Sequence, residues 1–139
     1  LKSIFSSEED VETFITYLEP HTAQKGDYLI RQGDEGDDLY FVEKGQVSVF
    51  LEIDGKPSVR LRTMLEGCIV GEVGLYCGSK RNASVISDTD TTYYRFTKEG
   101  LQALEKGHPE LAATFSREMA ALLAHRLTAA NNALTTLAK

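Results

Sequence analysis

The sequence predicts a mainly β domain, a closed barrel or a sandwich, with helices before and after it. Glycine is absent from the first 25 residues, occurs nine times between Gly26 and Gly78, and returns only at Gly100 and Gly107. The apolar period changes at the same boundary, from helical spacing to alternation and back to helical spacing. With 139 residues, 42% of them hydrophobic and 26% charged, the chain can bury one core and has no room for a second large domain.

Taken in order, residues 1–24 read as an N-terminal helical segment. Ser6 with Glu9 three residues later forms a capping pattern ahead of Val11, Phe14, Ile15 and Leu18, which share one helix face, and Pro20 marks the end. Residues 25–96 read as the barrel. Val47, Val49, Leu51 and Ile53 alternate with Ser48, Phe50 and Glu52, and Val59 and Leu61 alternate with Arg60 and Arg62, so each strand turns one face inward. Asp54-Gly55 between them is a tight hairpin signal. Gly26, Gly33, Gly45 and Gly67 punctuate the rest, which favours a barrel or sandwich over a parallel sheet with crossover helices. A last strand fits Thr92, Tyr94 and Phe96. Residues 97–139 read as helices. Thr97 caps a short one, Gly107 breaks it, and Pro109 suits the first turn of a longer one with a stripe of Phe115, Met119, Leu122, Leu123 and Leu127. A continuous helix to about Ala138 would run about 43 Å, so its far end, around Asn131 and Asn132, must fray or rest on something outside this sequence.

Several function classes are disfavoured. A formal charge of -6 argues against binding nucleic acid through its phosphates. Cys68 and Cys77 make no disulfide framework or zinc motif and read as reduced, partly buried thiols. No apolar run approaches 18 residues, and no secretory signal is present, so Asn82-Ala83-Ser84 is a coincidental glycosylation pattern. His21, His108 and His125 fall outside the expected strand-rich region, where a barrel metalloenzyme would need them. Phosphate-loop, dinucleotide and nucleophile-elbow motifs are also missing, so the expectation is no enzyme, no metal and no cofactor.

The segment 71–85, GEVGLYCGSKRNASV, has the composition of an anion site. Gly71 and Gly74 let the backbone approach a ligand, and a short helix opening at Glu72 would present free N–H groups. Arg81 can supply a charge-assisted contact to a phosphate, while the Glu72 carboxylate can accept a sugar hydroxyl. Spacing alone leaves open that Glu72 and Arg81 simply pair with each other across the loop.

Gly71-Glu72, Leu75 and Arg81-Asn82-Ala83-Ser84-Val85 resemble the phosphate-binding cassette of the cyclic nucleotide-binding domain superfamily, to which protein kinase A regulatory subunits and the catabolite activator protein belong. Gly26 to Asp34 and Leu39 to Val47 are similar to that family's glycine-punctuated strands. The resemblance implies a jelly-roll (double-stranded β-helix) barrel with an N-terminal helix and C-terminal lid helices, covering 1–139 as one domain. It implies a cyclic AMP or cyclic GMP ligand, its phosphate held by Arg81 and by backbone N–H groups around Gly74, Asn82 and Ala83, with Gly71 and Ser84 in the same binding site. Glu72 would take the ribose 2′-hydroxyl and Ile69 or Val70 would meet the base. The chain departs from the family at Lys80, where proline is frequent, at Gly74, where alanine is frequent, and at Asn82, which leaves the preferred base undecided.

Opening on Leu1, the chain reads as a piece of a larger protein. The run from Pro109 to Arg126, with Val59-Arg60-Leu61, is similar to the cytoplasmic module of bacterial sulfate permease-like anion transporters. The expectation is a cytoplasmic regulatory domain, at the membrane face as part of a transporter, signalling to it and able to form a homodimer through its last helix. The alternatives are a ligand-free interaction module and the sensor half of a transcription regulator.

Overall fold

The computed structural model describes residues 3–78 and 80–138. A first helix, α1 (Glu8–Ile15), precedes β1 (Glu19–Ala23), β2 (Tyr28–Ile30), β3 (Leu39–Lys44), β4 (Val47–Ile53), β5 (Lys56–Met64) and β6 (Ile69–Val70). A short helix, α2 (Glu72–Cys77), interrupts the strands before β7 (Ser84–Ser87) and β8 (Thr91–Phe96), and α3 (Lys98–Gly107) and α4 (Pro109–Ala138) follow. The strands form two four-stranded antiparallel sheets, ordered β1-β8-β3-β6 and β2-β7-β4-β5. This is the jelly roll with flanking helices that the family resemblance implied.

The first segment departs from expectation in two ways. Ser7, not Ser6, caps α1, accepting from the Asp10 N–H at 3.1 Å. Residues 1–24 are also not wholly helical, because Glu19–Ala23 pairs with β8. Pro20 therefore sits in a strand, tolerated because β1 lies at the edge of its sheet. The same strand carries His21, which stacks on Tyr93 at 5.5 Å between ring centroids, so this histidine belongs to the barrel's outer surface.

Two cores result. Between the sheets lies an aliphatic one, including Val42, Val47, Val49, Val70 and Val85. The other, largely aromatic, joins the helices to the β1-β8-β3-β6 sheet, with Phe14, Phe96 and Phe115 fully buried and Phe14 and Phe115 each 5.2 Å from Phe96. Burying such a ring contributes about 2 to 3 kcal/mol, so this second core fixes where α4 leaves the barrel.

The Asp54-Gly55 hairpin forms with both residues at positive φ. Inward alternation along β4 and β5 holds only in part. Val47 and Val49 are buried, but Leu51 and Leu61 are exposed, because this part of the barrel opens into a cavity that they line. Register shifts between Val49 and Phe50 bring Arg62 opposite Val49, and Arg60 opposite Phe50. Such a bulge breaks strict alternation, and Arg62, expected on the opposite face from Leu61, lines the same cavity. The Thr97 cap and the start of α4 at Pro109 match expectation. α4 remains one helix of 30 residues, buried at Leu111, Ala112, Phe115 and Met119 and exposed from Leu127 onward. No helix among the described residues is long and apolar enough to cross a membrane.

Candidate functional site

The segment between β6 and β7 is built around two glycines with different tasks. Gly71 caps α2 with φ of +85°, a conformation L side chains rarely adopt. Gly74 has ordinary helical geometry, but an added Cβ would collide with the Arg81 guanidinium and lie 2.7 Å from the Gly36 carbonyl oxygen. The glycine at 74 thus makes space for the Arg81 guanidinium. The free N–H groups of the first turn of α2 open beside the cavity, which Glu72, Val73 and Gly74 line.

Arg81 is 9% exposed. Its Nη2 donates to the Asp38 carboxylate at 2.5 Å and to the Asp38 carbonyl at 2.8 Å, and its Nη1 donates to the Gly71 carbonyl at 3.2 Å. Asp38 also accepts from Arg95, which in turn donates to Glu19 at 3.2 Å. Two guanidiniums therefore share one buried carboxylate, and the exposed Glu19 balances the second of them. The Arg81 main chain is fixed as well: its N–H donates to the Asp34 carbonyl and its carbonyl accepts from Gly33.

Glu72 is 5% exposed and pairs with Arg126 of α4 through Oε1. Arg126 also donates to the Ile69 carbonyl at 2.5 Å. The open alternative is thereby resolved: Glu72 and Arg81 do not pair with each other but have separate partners. Oε2 of Glu72 accepts no hydrogen bond among the described residues.

One cavity of about 300 Å³ joins these groups. Of the expected residues, Val70, Gly71, Glu72, Gly74, Arg81, Asn82 and Ala83 line it. Ser84 does not. It is fully buried and its Oγ accepts from the Gln32 N–H at 2.8 Å, so it braces the segment after β2. Ile69 does not line the cavity either; it packs on the aromatic core and contributes its carbonyl to Arg126. Sequence reasoning passed over Asp38, Arg62 and Arg126. For Arg126 a signal existed, since 115, 119, 122 and 126 continue one helical stripe, and a cation there marks where the stripe leaves the core. For Asp38 and Arg62 there was none, because both depend on a loop and a bulge.

The lining side chains include four cations, Arg62, Lys80, Arg81 and Arg126, against the single carboxylate of Glu72. Arg81 is paired with Asp38 and Arg126 with Glu72, so the excess positive charge is carried by Arg62 and Lys80, a local field opposite in sign to the net charge of -6. Burial, then the nearby Arg126, lowers the Arg62 pKa, while Glu72 raises it. Cys68 is pushed up to about 11 by burial and stays a thiol at neutral pH. Cys77 is exposed rather than partly buried. Among the described residues no group of His, Cys, Asp and Glu is arranged to hold a metal.

A jelly roll that opens a cation-lined cavity beneath a terminal helix defines a ligand-binding regulatory domain. The chain belongs to the cyclic nucleotide-binding domain family, which it matches over residues 20–108. It is 34% identical over 110 residues to Glutaminase 1 of Bradyrhizobium diazoefficiens, covering 79% of this chain and 17% of that protein. It is 30% identical over 105 residues to the potassium/sodium hyperpolarization-activated cyclic nucleotide-gated channel 2 of Mus musculus, covering 76% of this chain and 12% of the channel. Among solved structures, the Thermus thermophilus Catabolite Activator Protein superposes with a TM-score of 0.80 at 30% identity, over 95% of this chain and 60% of that one. The chain thus spans a small part of the length of these curated relatives.

Proposed function

We propose that this domain is a sensor for a purine 3′,5′-cyclic nucleotide, cyclic AMP or cyclic GMP, and that α4 passes occupancy to an attached effector. The observation that carries the reading is the buried placement of Arg81 and Glu72 on one cavity, each held by its own partner. Arg81 keeps N–H groups free of protein acceptors for the cyclic phosphate, assisted by backbone at Gly74, Asn82 and Ala83. Glu72 keeps Oε2 for the ribose 2′-hydroxyl.

Transmission follows from Arg126. Because the same carboxylate meets both the ribose and α4, the ligand favours whichever helix position suits the occupied site, by an amount set only by its differential affinity for the two arrangements. A ligand of about 22 heavy atoms at roughly 0.3 kcal/mol per atom binds with a dissociation constant near 10 µM. The effector in this proposal is a membrane anion transporter of the sulfate permease-like kind, which places the domain at the cytoplasmic face. The similarity of 109–126 to those modules supports this reading, and a homodimer through α4 accompanies it.

Calorimetric titration of the domain with cyclic AMP and cyclic GMP tests the site. Micromolar binding of at least one, lost by more than tenfold in Arg81→Ala, is expected. No heat at millimolar ligand would leave the alternative, a jelly roll used only for protein interaction.

A further inference from the structure

The wall of the cavity formed by β4 and β5 has a chemistry of its own. Val85 of β7 pairs with Val49 of β4, which pairs with Arg62 of β5. The cassette runs directly into β7, so Arg62 stands two strands away, roughly 10 Å across the sheet. That separation suits the far edge of a base whose phosphate sits at Arg81. Around Arg62 the wall is aliphatic, formed by Val49, Leu51 and Leu61.

Among the described residues, Arg62 differs from the neighbouring arginines in having no partner. Arg60, two residues earlier, lies over the Phe50 ring at 5.3 Å, and Arg81, Arg95 and Arg126 each pair with a carboxylate. Among the described residues no carboxylate lies within ion-pair distance of Arg62, and its side chain makes no hydrogen bond. The cavity is also poor in acceptors. Among the described residues only Glu72 and Asn82 have side-chain oxygens on it; Glu72 is committed to Arg126 through Oε1 and, in the proposed reading, to the ribose through Oε2, and Asn82 sits next to Arg81.

A guanidinium is a planar fork of donors with no acceptor. The O6 and N7 of guanine are two acceptors on one edge, which such a fork binds bidentately, whereas adenine offers N7 beside an amino group that also donates. An adenine amino group at this fork would set donor against donor and find no side-chain acceptor on this wall among the described residues.

We propose that Arg62 reads the O6/N7 edge of guanine and makes cyclic GMP the preferred ligand of this domain. The proposal rests on the cyclic nucleotide reading of the cavity and names the ligand within it.

The test is calorimetric titration of the wild-type domain, Arg62→Ala and Arg62→Lys with cyclic GMP, cyclic AMP and cyclic IMP, which keeps O6 and N7 but lacks the guanine amino group. In the wild type, cyclic GMP and cyclic IMP bind within about threefold of each other and about tenfold more tightly than cyclic AMP, the size of one bidentate pair. Arg62→Ala removes most of that ratio, and Arg62→Lys, with the charge but not the fork, restores only a small part. If cyclic AMP binds the wild type as tightly as cyclic GMP, or Arg62→Ala weakens all three ligands equally, the guanine assignment is overturned while the site stands. If the wild type binds none of the three, the cyclic nucleotide reading falls and the assignment with it.

Discussion

Arg81 and Arg126 bring guanidiniums to the same cavity from opposite circumstances. Arg81 leaves the loop before β7 and is enclosed by Asp38, Gly36, Gly71 and Gly74, with its main chain tied to the β2–β3 loop. Arg126 arrives on a helix that is anchored by Phe115 and Met119 but has exposed residues from Leu127 to Ala138. The Arg81 end of the cavity is therefore built into the barrel, whereas the Glu72 end is paired to a helix that leaves it. Under the proposed function, the barrel half of the site binds and the helix half reports.

The strongest way to break that contrast is to remove the group that holds the barrel half. Asp38→Ala leaves Arg81 and Arg95 without their shared carboxylate, and should cost about 3 kcal/mol of stability in urea unfolding, with loss of nucleotide binding. A change below 1 kcal/mol would show that the barrel does not depend on this pair. Gly74→Ala is a smaller probe. Alanine gains about 1 kcal/mol of helix propensity, but the new methyl meets the Gly36 carbonyl and displaces a paired Arg81. The expected outcome is a net loss of about 1 to 2 kcal/mol and weaker binding, and a stabilised variant with unchanged affinity would contradict the space-making role. Smallest on stability is truncation after Arg126. Because the deleted residues are exposed, unfolding of the isolated domain should change by less than about 0.5 kcal/mol, while self-association, measured by sedimentation, weakens. An unchanged oligomeric state would remove that end of α4 from the dimer proposal.

How much of this was readable in the sequence follows the same division. The cassette is local: Gly71, Glu72, Gly74 and Arg81 lie within eleven consecutive residues, and the turn and charge chemistry of each survives any packing. The last helix was legible too, because Pro109 and the Phe115 stripe are periodic signals. What connects the parts was not. Asp38 reaches Arg81 across 43 positions and Glu72 reaches Arg126 across 54, distances over which spacing carries no information. Arg62 was hidden by a bulge, since alternation from Val59 and Leu61 assigns it to the other face. Ser84 falls outside the cavity for the converse reason. It neighbours the cassette in sequence, but its place in β7 turns its hydroxyl toward Gln32 instead of the cavity.

The central claim, that a nucleotide held by the barrel is read by α4, is tested most directly by amide hydrogen exchange with and without saturating cyclic GMP. The account predicts slower exchange both in the cassette, residues 72–85, and in α4 across residues 119–130, where Arg126 meets Glu72. Protection of the cassette with α4 unchanged would separate binding from reporting and contradict it.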